Sequence, residues 1–180
     1  MGGTGSLAAW PSGILARMIE MRVLTPDDWP LWRALRHAAL AEAPYAFGST
    51  LADWQGDGDR EARWRARLEP PSHNVITFLG GEPVGMASGM PAEDDGVAEL
   101  ISMWVSPTGR GRGVGDALVQ EVVRWARSVG SVAVRLDVSD GNDAAARLYR
   151  RNGFAYTGEL GDFMADGVRR ERVMTKPLVG

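Results

Sequence analysis

The chain has 180 residues, of which 44% are hydrophobic and 24% charged, which is ordinary for a globular protein of one domain. It contains no cysteine, which excludes disulfides, thiolate metal sites and a cysteine nucleophile. Its two histidines make a histidine-rich metal centre unexpected, and we predict no metal. A net charge of −3 indicates no overall attraction to nucleic acid or to an anionic membrane.

The start of the chain is interpreted as an extension ahead of the domain. Residues 1–18 hold a mildly apolar stretch but no basic residue before Arg17, which is a poor match to a signal peptide. No apolar run in the chain approaches the ~20 residues that a membrane span requires. We therefore expect a flexible extension over residues 1–18, a single domain over residues 19–178 and a cytoplasmic location.

A first strand and two helices are predicted in the first part of the domain. The strand covers Ile19 to Leu24, and Thr25 followed by Pro26 marks the start of a helix that ends before Pro44. The second helix lies near Asp59 to Leu68. Its charged residues are interpreted as a solvated face, and no functional role is given to its arginines: Arg60, Arg63, Arg65 and Arg67.

Further strands are predicted by apolar and alternating segments. Asn74 to Leu79 and Val84 to Met90 flank a glycine-containing turn and indicate a hairpin. Ser131 to Val138 alternates between apolar and polar residues, as a strand does. Phe154 to Gly158 and Arg169 to Thr175 are expected to form a last antiparallel pair.

The most informative stretch reads as a strand, a glycine-rich turn and a helix. The strand covers Leu100 to Val105, and apolar residues recur with the helical period from Val114 onward. Between them, Gly111, Gly113 and Gly115 permit positive φ and leave the backbone accessible. Their N–H groups would converge at the positive end of the helix dipole, which suits a phosphate or pyrophosphate. The flanking Arg110 and Arg112 would add donors.

This turn alone leaves other interpretations open. A Walker A loop needs lysine and then serine or threonine after its last glycine, whereas Gly115 is followed by Asp116. A dinucleotide fingerprint is spaced G-x-G-x-x-G, which the loop does not match, although Asp137 lies near the distance expected for its acidic partner. A tight turn that binds no ligand is a further alternative.

Two blocks of sequence resemble one known family. Arg110, Gly113 and Gly115 after a V-x-P strand end match the R/Q-x-x-G-x-G/A motif of the GCN5-related N-acetyltransferases, or GNAT proteins. Asn142 to Phe154 is similar to a second motif of that family, N-x-x-A-x-x-L-Y-x-x-x-G-F. The resemblance covers roughly residues 21–178. It implies an α/β (α+β) fold with a mixed, centrally splayed sheet of about six or seven strands and about four helices.

The resemblance also implies that acetyl-CoA is the acyl donor and that the acceptor is a primary amine of a small molecule or peptide. In the family, a bulged strand leaves backbone groups free for the pantetheine arm, and here they would belong to Met103 and Val105. The Met103 N–H is also a candidate donor to the thioester oxygen. Asn142 would contact the pantetheine arm or cap its own helix. The pyrophosphate would lie on the loop residues Arg110, Gly111, Arg112, Gly113, Val114, Gly115 and Asp116.

Catalytic and acceptor residues follow from the same resemblance. Tyr149 occupies the position of a tyrosine that protonates the departing thiolate as a general acid. Glu99 is the candidate general base, since an alkylammonium with a pKa of about 10.4 must lose a proton before it attacks; a chain of water molecules is the alternative route for that proton. Tyr45 and Phe47, in the loop after the first helix, are candidate acceptor contacts.

Other functions remain open at this level. The domain could transfer a different acyl group, or it could bind acyl-CoA without turnover as a sensor or regulatory module. A nucleotide-binding α/β domain follows from the glycine loop taken alone. The acceptor is not identified by the sequence, and because GNAT relatives often dimerise, a homodimer is among the expected assemblies.

Overall fold

The computed structural model describes residues 18–92, 96–164 and 167–178. The extension expected over residues 1–18 lies outside these ranges apart from Met18, so it stays a prediction. Within the described part of the chain, no helix has the length and apolar character needed to cross a membrane.

One seven-stranded sheet and four α-helices make up the described part of the chain. The strands are β1 Ile19–Val23, β2 His73–Leu79, β3 Glu82–Pro91, β4 Val97–Val105, β5 Ala133–Val138, β6 Ala155–Phe163 and β7 Arg170–Pro177. The helices are α1 Trp29–Glu42, α2 Glu61–Leu68, α3 Val114–Ser128 and α4 Asp143–Arg151. These elements agree with the predicted α/β (α+β) class and with its strand and helix numbers.

The sheet has the strand order β1-β2-β3-β4-β5-β7-β6, and only the β4–β5 pair is parallel. That parallel pairing covers just Val97, Ala98 and Glu99 on β4, after which the two strands diverge. The remaining residues of β4 therefore have no ladder partner on the β5 side. The mixed, centrally splayed sheet predicted from the family resemblance is thus confirmed.

A bulge interrupts β4 close to this splay. Ile101 lies opposite Ser88 and Trp104 lies opposite Met86, so three steps along β4 match two steps along β3. Ser102, inside the bulge, has φ 53°, which is uncommon for a residue other than glycine.

The helices cover both faces of the sheet. The apolar stripe of α3 packs with Tyr149 of α4 onto one face, where Val75, Ala87 and Leu136 are buried. On the other face, Trp32 of α1 and Trp64 of α2 are buried with Met86. Three short 3₁₀ turns, which the sequence did not predict, connect α1 to α2 at Pro44–Ala46, Ala52–Trp54 and Gly56–Gly58.

The last hairpin is longer than predicted. The expected end of β6 was Gly158, yet the strand continues to Phe163. The pairing with β7 shifts register between Tyr156 and Leu160 and again before Phe163, so Gly158, at φ 90°, lies within an irregular stretch. A glycine that marks a turn in sequence can instead mark a bulge in a strand.

Candidate active site

The glycine loop leads directly into α3. Gly111 and Gly113 have φ 70° and 82°, in the left-handed region that glycine occupies without strain. Gly113 is the N-cap residue of α3, so the N–H groups of the next residues have no acceptor within the helix. A Cβ at Gly111 would meet nothing within 4 Å, and one at Gly113 would meet only Ile19, at 3.7 Å. The loop is therefore an open cradle of backbone donors.

Gly115 has a different role from the other two glycines. A Cβ at this position would lie 3.0 Å from Leu148 Cδ2, which belongs to α4. Contacts this short force a neighbour to move, so Gly115 permits the close approach of α3 and α4. It thereby positions both helices around the cavity described next.

A cavity of about 560 Å³, here called the loop cleft, opens between the glycine loop, the splayed end of β4 and α4. It contains almost every residue predicted to hold the coenzyme, together with the predicted acid. These are Met103, Val105, Arg110, Gly111, Gly113, Val114, Gly115, Asp116, Asn142 and Tyr149. Arg112 does not line it, and its side chain is exposed. Tyr45, predicted as an acceptor contact, lies in this cleft instead.

Several side chains of the loop cleft are engaged by the protein itself. Arg110 Nη2 donates to both carboxylate oxygens of Glu42, at 2.9 and 2.8 Å. Asp116 accepts from Arg151 at 2.7 and 2.8 Å. Asn142 Oδ1 accepts from the Ala145 N–H at 3.2 Å, which caps α4. Because these side chains are occupied, the backbone N–H groups are the readier ligands for an anion.

Tyr149 lies between the loop cleft and the core. It is 6% exposed, and its ring is 6.0 Å from that of Phe154. Burial raises the pKa of its phenol above the usual 10. The hydroxyl is therefore protonated throughout the neutral range and can donate a hydrogen bond.

A second cavity of about 470 Å³, here called the splay pocket, lies where β4 and β5 diverge, beneath α1 and α2. Glu99, the predicted base, and Phe47, a predicted acceptor contact, both line it. Its wall also carries charges of both signs. They are the carboxylates of Glu99, Asp137 and Glu171 and the guanidiniums of Arg36, Arg67 and Arg135.

The two cavities meet at Asp137. This residue and Ala46 are the two that line both, among the residues that the structure describes. Burial raises the pKa of Asp137. The positive charge of Arg135 opposes this shift, and the charges of Asp162 and Glu159 add to it. Burial also raises the pKa of the neighbouring Glu171, and the charges of Asp137 and Asp162 add to that effect. A carboxylate with a raised pKa accepts a proton more readily than an ordinary one.

The sequence did not predict Arg36, Arg67 or Asp137 as site residues. The assignment of Arg67 to a solvated helix face is wrong, because its guanidinium turns inward to the splay pocket. A signal was present: Arg36 lies four residues from both Trp32 and Leu40, on the buried stripe of α1. Arg67 likewise follows the buried Trp64 by three residues. An arginine on an apolar helix stripe is a sign of a buried charge.

Comparison with known proteins agrees with this architecture. The model of the Acetyltransferase (GNAT) family matches residues 32–154, more than half of the chain. The structure of yncA from Salmonella typhimurium with its cofactor acetyl-CoA superposes with a TM-score of 0.72 at 20% identity, over 91% of this chain and 95% of that one. At this identity, the likeness shows a shared fold.

Two curated relatives match at the sequence level. The N-acetylaspartate synthetase of Danio rerio is 34% identical over 95 residues, which are 53% of this chain and 34% of that protein. The mycothiol acetyltransferase of Pseudarthrobacter chlorophenolicus is 26% identical over 156 residues, or 84% of this chain and 47% of that protein. The chain thus spans about a third to a half of these relatives. From the family model, the fold and the two motifs together, the chain belongs to the GNAT acetyltransferase family.

Proposed function

We propose that the protein transfers an acetyl group from acetyl-CoA to a primary amine by direct attack within a ternary complex. The observation that carries this proposal is the meeting of two cavities at the β4–β5 splay, with Asp137 in both walls. The loop cleft would hold the donor and the splay pocket the acceptor. Their junction is where a nucleophile from one cavity can reach a thioester in the other.

The donor would be held mainly by backbone groups. The N–H groups of the loop from Gly111 to Asp116 are suited to the pyrophosphate, at the positive end of α3. The part of β4 beyond Glu99 is free of β5, so its N–H and C=O groups are available to the pantetheine amides. On this arrangement, the Met103 N–H would donate to the thioester oxygen as negative charge develops there.

The reaction forms a C–N bond and breaks the C–S bond of the thioester. An ammonium acceptor loses two protons in all: one before it attacks, to a carboxylate for which Glu99 and Asp137 are the candidates in the splay pocket, and one as the amide forms. The departing thiolate gains one proton, for which the hydroxyl of Tyr149, in the wall of the loop cleft, is the candidate donor. One proton is released to solvent in the complete reaction. The candidate bases thus line the splay pocket, and the candidate acid lines the loop cleft.

The names of the relatives do not determine the acceptor. One is described as an N-acetylaspartate synthetase and another as a mycothiol acetyltransferase, so their names point to different acceptors. The chain also covers only part of each. We therefore assign the donor and the reaction type and treat the acceptor separately below.

Thermal unfolding with and without saturating acetyl-CoA tests the donor. A ligand at a hundred times its dissociation constant adds about 2.7 kcal/mol to the stability, which raises Tm by about 5–10 °C for a domain of this size. Acetyl-CoA and CoA should produce this shift, while NAD and ATP should not. A larger shift with NAD or ATP would overturn the assignment of the loop to CoA.

Release of free CoA thiol in the presence of an amine panel tests the reaction. The chain has no cysteine, so every thiol detected comes from the coenzyme. Acetyl-CoA binding without amine-dependent thiol release would indicate an acyl-CoA sensor, and faster release from a longer acyl-CoA would indicate a different acyl donor.

A further inference from the structure

Arg36 is a buried cation whose hydrogen bonding is incomplete. It is 7% exposed, lines the splay pocket, and donates from Nη2 to Ser49 Oγ at 2.9 Å. Its guanidinium carbon lies 4.5 Å from the centre of the Phe47 ring. Nη1 is buried and has no hydrogen-bond partner among the described residues. A buried donor left without an acceptor is costly, and natural structures contain few of them.

Arg67 brings a second guanidinium to the same pocket. Nη1 donates to Met90 Sδ at 3.2 Å, and Nη2 donates to Ser102 Oγ at 3.2 Å. These acceptors are neutral. Within the described ranges, neither Arg36 nor Arg67 has a carboxylate within ion-pair distance.

The two arginines bring positive charge that is not paired with a described carboxylate at ion-pair distance. Burial, together with the charge of Arg67, lowers the pKa of Arg36 to about 10. Burial also lowers the pKa of Arg67. Both groups nevertheless carry their charge at neutral pH. Buried charges in proteins are normally paired, so this pair has the properties of a site that an anionic ligand completes.

The splay pocket also has a negative region. Glu99 lies directly opposite Met90 in the β3–β4 ladder, so both side chains leave the same face of the sheet. Arg67 contacts Met90 on β3, so the carboxyl group of Glu99 lies on the strand next to this contact. Asp137 and Glu171 extend the negative region toward β5 and β7. The pocket therefore suits a ligand with one negative and one positive end.

We propose that Arg36 and Arg67 bind a carboxylate of the acceptor, so that the acceptor is a primary amine that also bears a carboxylate, as an amino acid does. This inference rests on the acetyltransferase function proposed above. Arg36 Nη1 supplies the vacant donor, and the guanidinium of Arg67 adds charge beside it. The amine then lies toward Glu99 and Asp137, next to the loop cleft. A single carboxylate fits better than a dianionic phosphate because three protein carboxylates share the pocket.

The first test compares matched acceptors on the wild-type protein. Thiol release from acetyl-CoA is measured with the common L-amino acids, β-alanine and γ-aminobutyrate, and with the carboxamide and the decarboxylated amine of each. The best carboxylated amine should exceed its own amide in kcat/KM by about 10- to 100-fold, which is the effect of a charge-assisted hydrogen bond to a buried partner. Equal rates for acid and amide would overturn the inference.

The second test uses variants that remove one charge each. Arg36→Gln and Arg67→Gln should raise KM for the carboxylated amine by about 10-fold or more and leave KM for acetyl-CoA unchanged. The rate with the amide should not change, which separates carboxylate binding from a merely structural role. Arg65→Gln is the matched control, because Arg65 lies on the same helix and pairs at the surface with Asp27 and Glu61.

A binding measurement makes the outcome decisive if turnover is slow. Trp54 lines the splay pocket, so tryptophan fluorescence of the CoA-saturated protein can report on titration with the same acids and amides. The inference is supported if an acid saturates the signal, its amide does not, and the Arg36→Gln variant no longer responds to the acid. If no carboxylated amine is turned over and none saturates the fluorescence signal, the inference is overturned, even if uncharged amines are acetylated. A failure of acetyl-CoA to stabilise the protein would instead overturn the proposed function.

Discussion

Arg110 donates to both carboxylate oxygens of Glu42, and this ion pair joins the glycine loop to the last residue of α1. Glu42 also accepts from Trp104 Nε1 at 3.0 Å, so one carboxylate connects α1, β4 and the loop. The hydrogen bond from Trp104 holds the pKa of Glu42 below its usual value, and the hydrogen bonds and positive charge of Arg110 act in the same direction. Glu42 is therefore ionised at neutral pH and offsets the positive charge of Arg110.

This ion pair predicts the effect of Glu42→Gln on the coenzyme. Removing a negative charge beside the loop frees Arg110 for the pyrophosphate, so acetyl-CoA should bind about 2- to 5-fold more tightly at low salt, as expected for an exposed charge interaction. The gain should shrink as salt is raised. Isothermal titration calorimetry at two salt concentrations measures both effects, with Glu61→Gln on α2 as the control. Weaker binding would show that the ion pair shapes the loop instead.

The backbone cradle predicts that Gly113→Val prevents coenzyme binding. A branched side chain at φ 82° is strained and would project where the ligand must approach the N–H groups. Gly130 is a matched control, because it has φ 81°, open space around its Cα and no place in the loop cleft. Gly113→Val and the control Gly130→Val should both lower Tm, while only Gly113→Val should abolish the Tm shift with acetyl-CoA. A normal shift in that variant would contradict the cradle.

The position of Tyr149 predicts a defect in turnover without a defect in binding. Tyr149→Phe removes the hydroxyl that would protonate the thiolate, so kcat should fall by about 100-fold or more, the scale of general acid catalysis. KM for acetyl-CoA should stay within about 2-fold. Tyr156→Phe is the control, since Tyr156 lies on β6 and contacts Arg150 and Arg172 outside the cleft. A loss confined to coenzyme binding would reject the acid role.

The two candidate bases predict different pH profiles. A base works only when it is unprotonated, so activity falls as pH decreases through its pKa, and the raised pKa of Asp137 places that fall above the ordinary aspartate range. If Asp137 is the base, Asp137→Asn should lower kcat several-fold or more at pH 7 and remove this acidic limb.

The corresponding test for Glu99 is Glu99→Gln. If Glu99 is the base, this variant should lose several-fold in turnover at pH 7 and less at higher pH, where more of the amine is already neutral. Glu82→Gln, in the β2–β3 hairpin, controls for the loss of a carboxylate. Full activity of either variant across pH 6–9 would remove that residue from the mechanism.

The elements around the loop cleft were predictable because short, continuous segments form them. The glycines from Gly111 to Gly115 precede a helix whose start at Val114 the periodicity places correctly. The segment that begins at Asn142 likewise carries its own N-cap and apolar face. In such segments the local pattern and the tertiary structure favour the same conformation.

The splay pocket could not be predicted in the same way. Arg36, Arg67, Glu99 and Asp137 come from α1, α2, β4 and β5, and they meet only because the parallel pairing stops after Glu99. Hydrophobic periodicity assigns faces to each element, but it does not say which charged residues from separate elements share a cavity. The inward position of Arg67 depends on this tertiary arrangement.

The bulge at Ser102 reverses the alternation of side chains along β4. Ile101 and Trp104 lie on one face of the sheet because the bulge adds a residue between them. Since side chains alternate along a strand, regular pairing of the same residues would turn Trp104 to the opposite face. The indole would then leave both Glu42 and the core that it shares with Trp32. Met103 and Val105 would turn away from the loop cleft at the same time. The bulge thus determines which side chains of β4 beyond Ile101 face the loop cleft and which face α1 and α2.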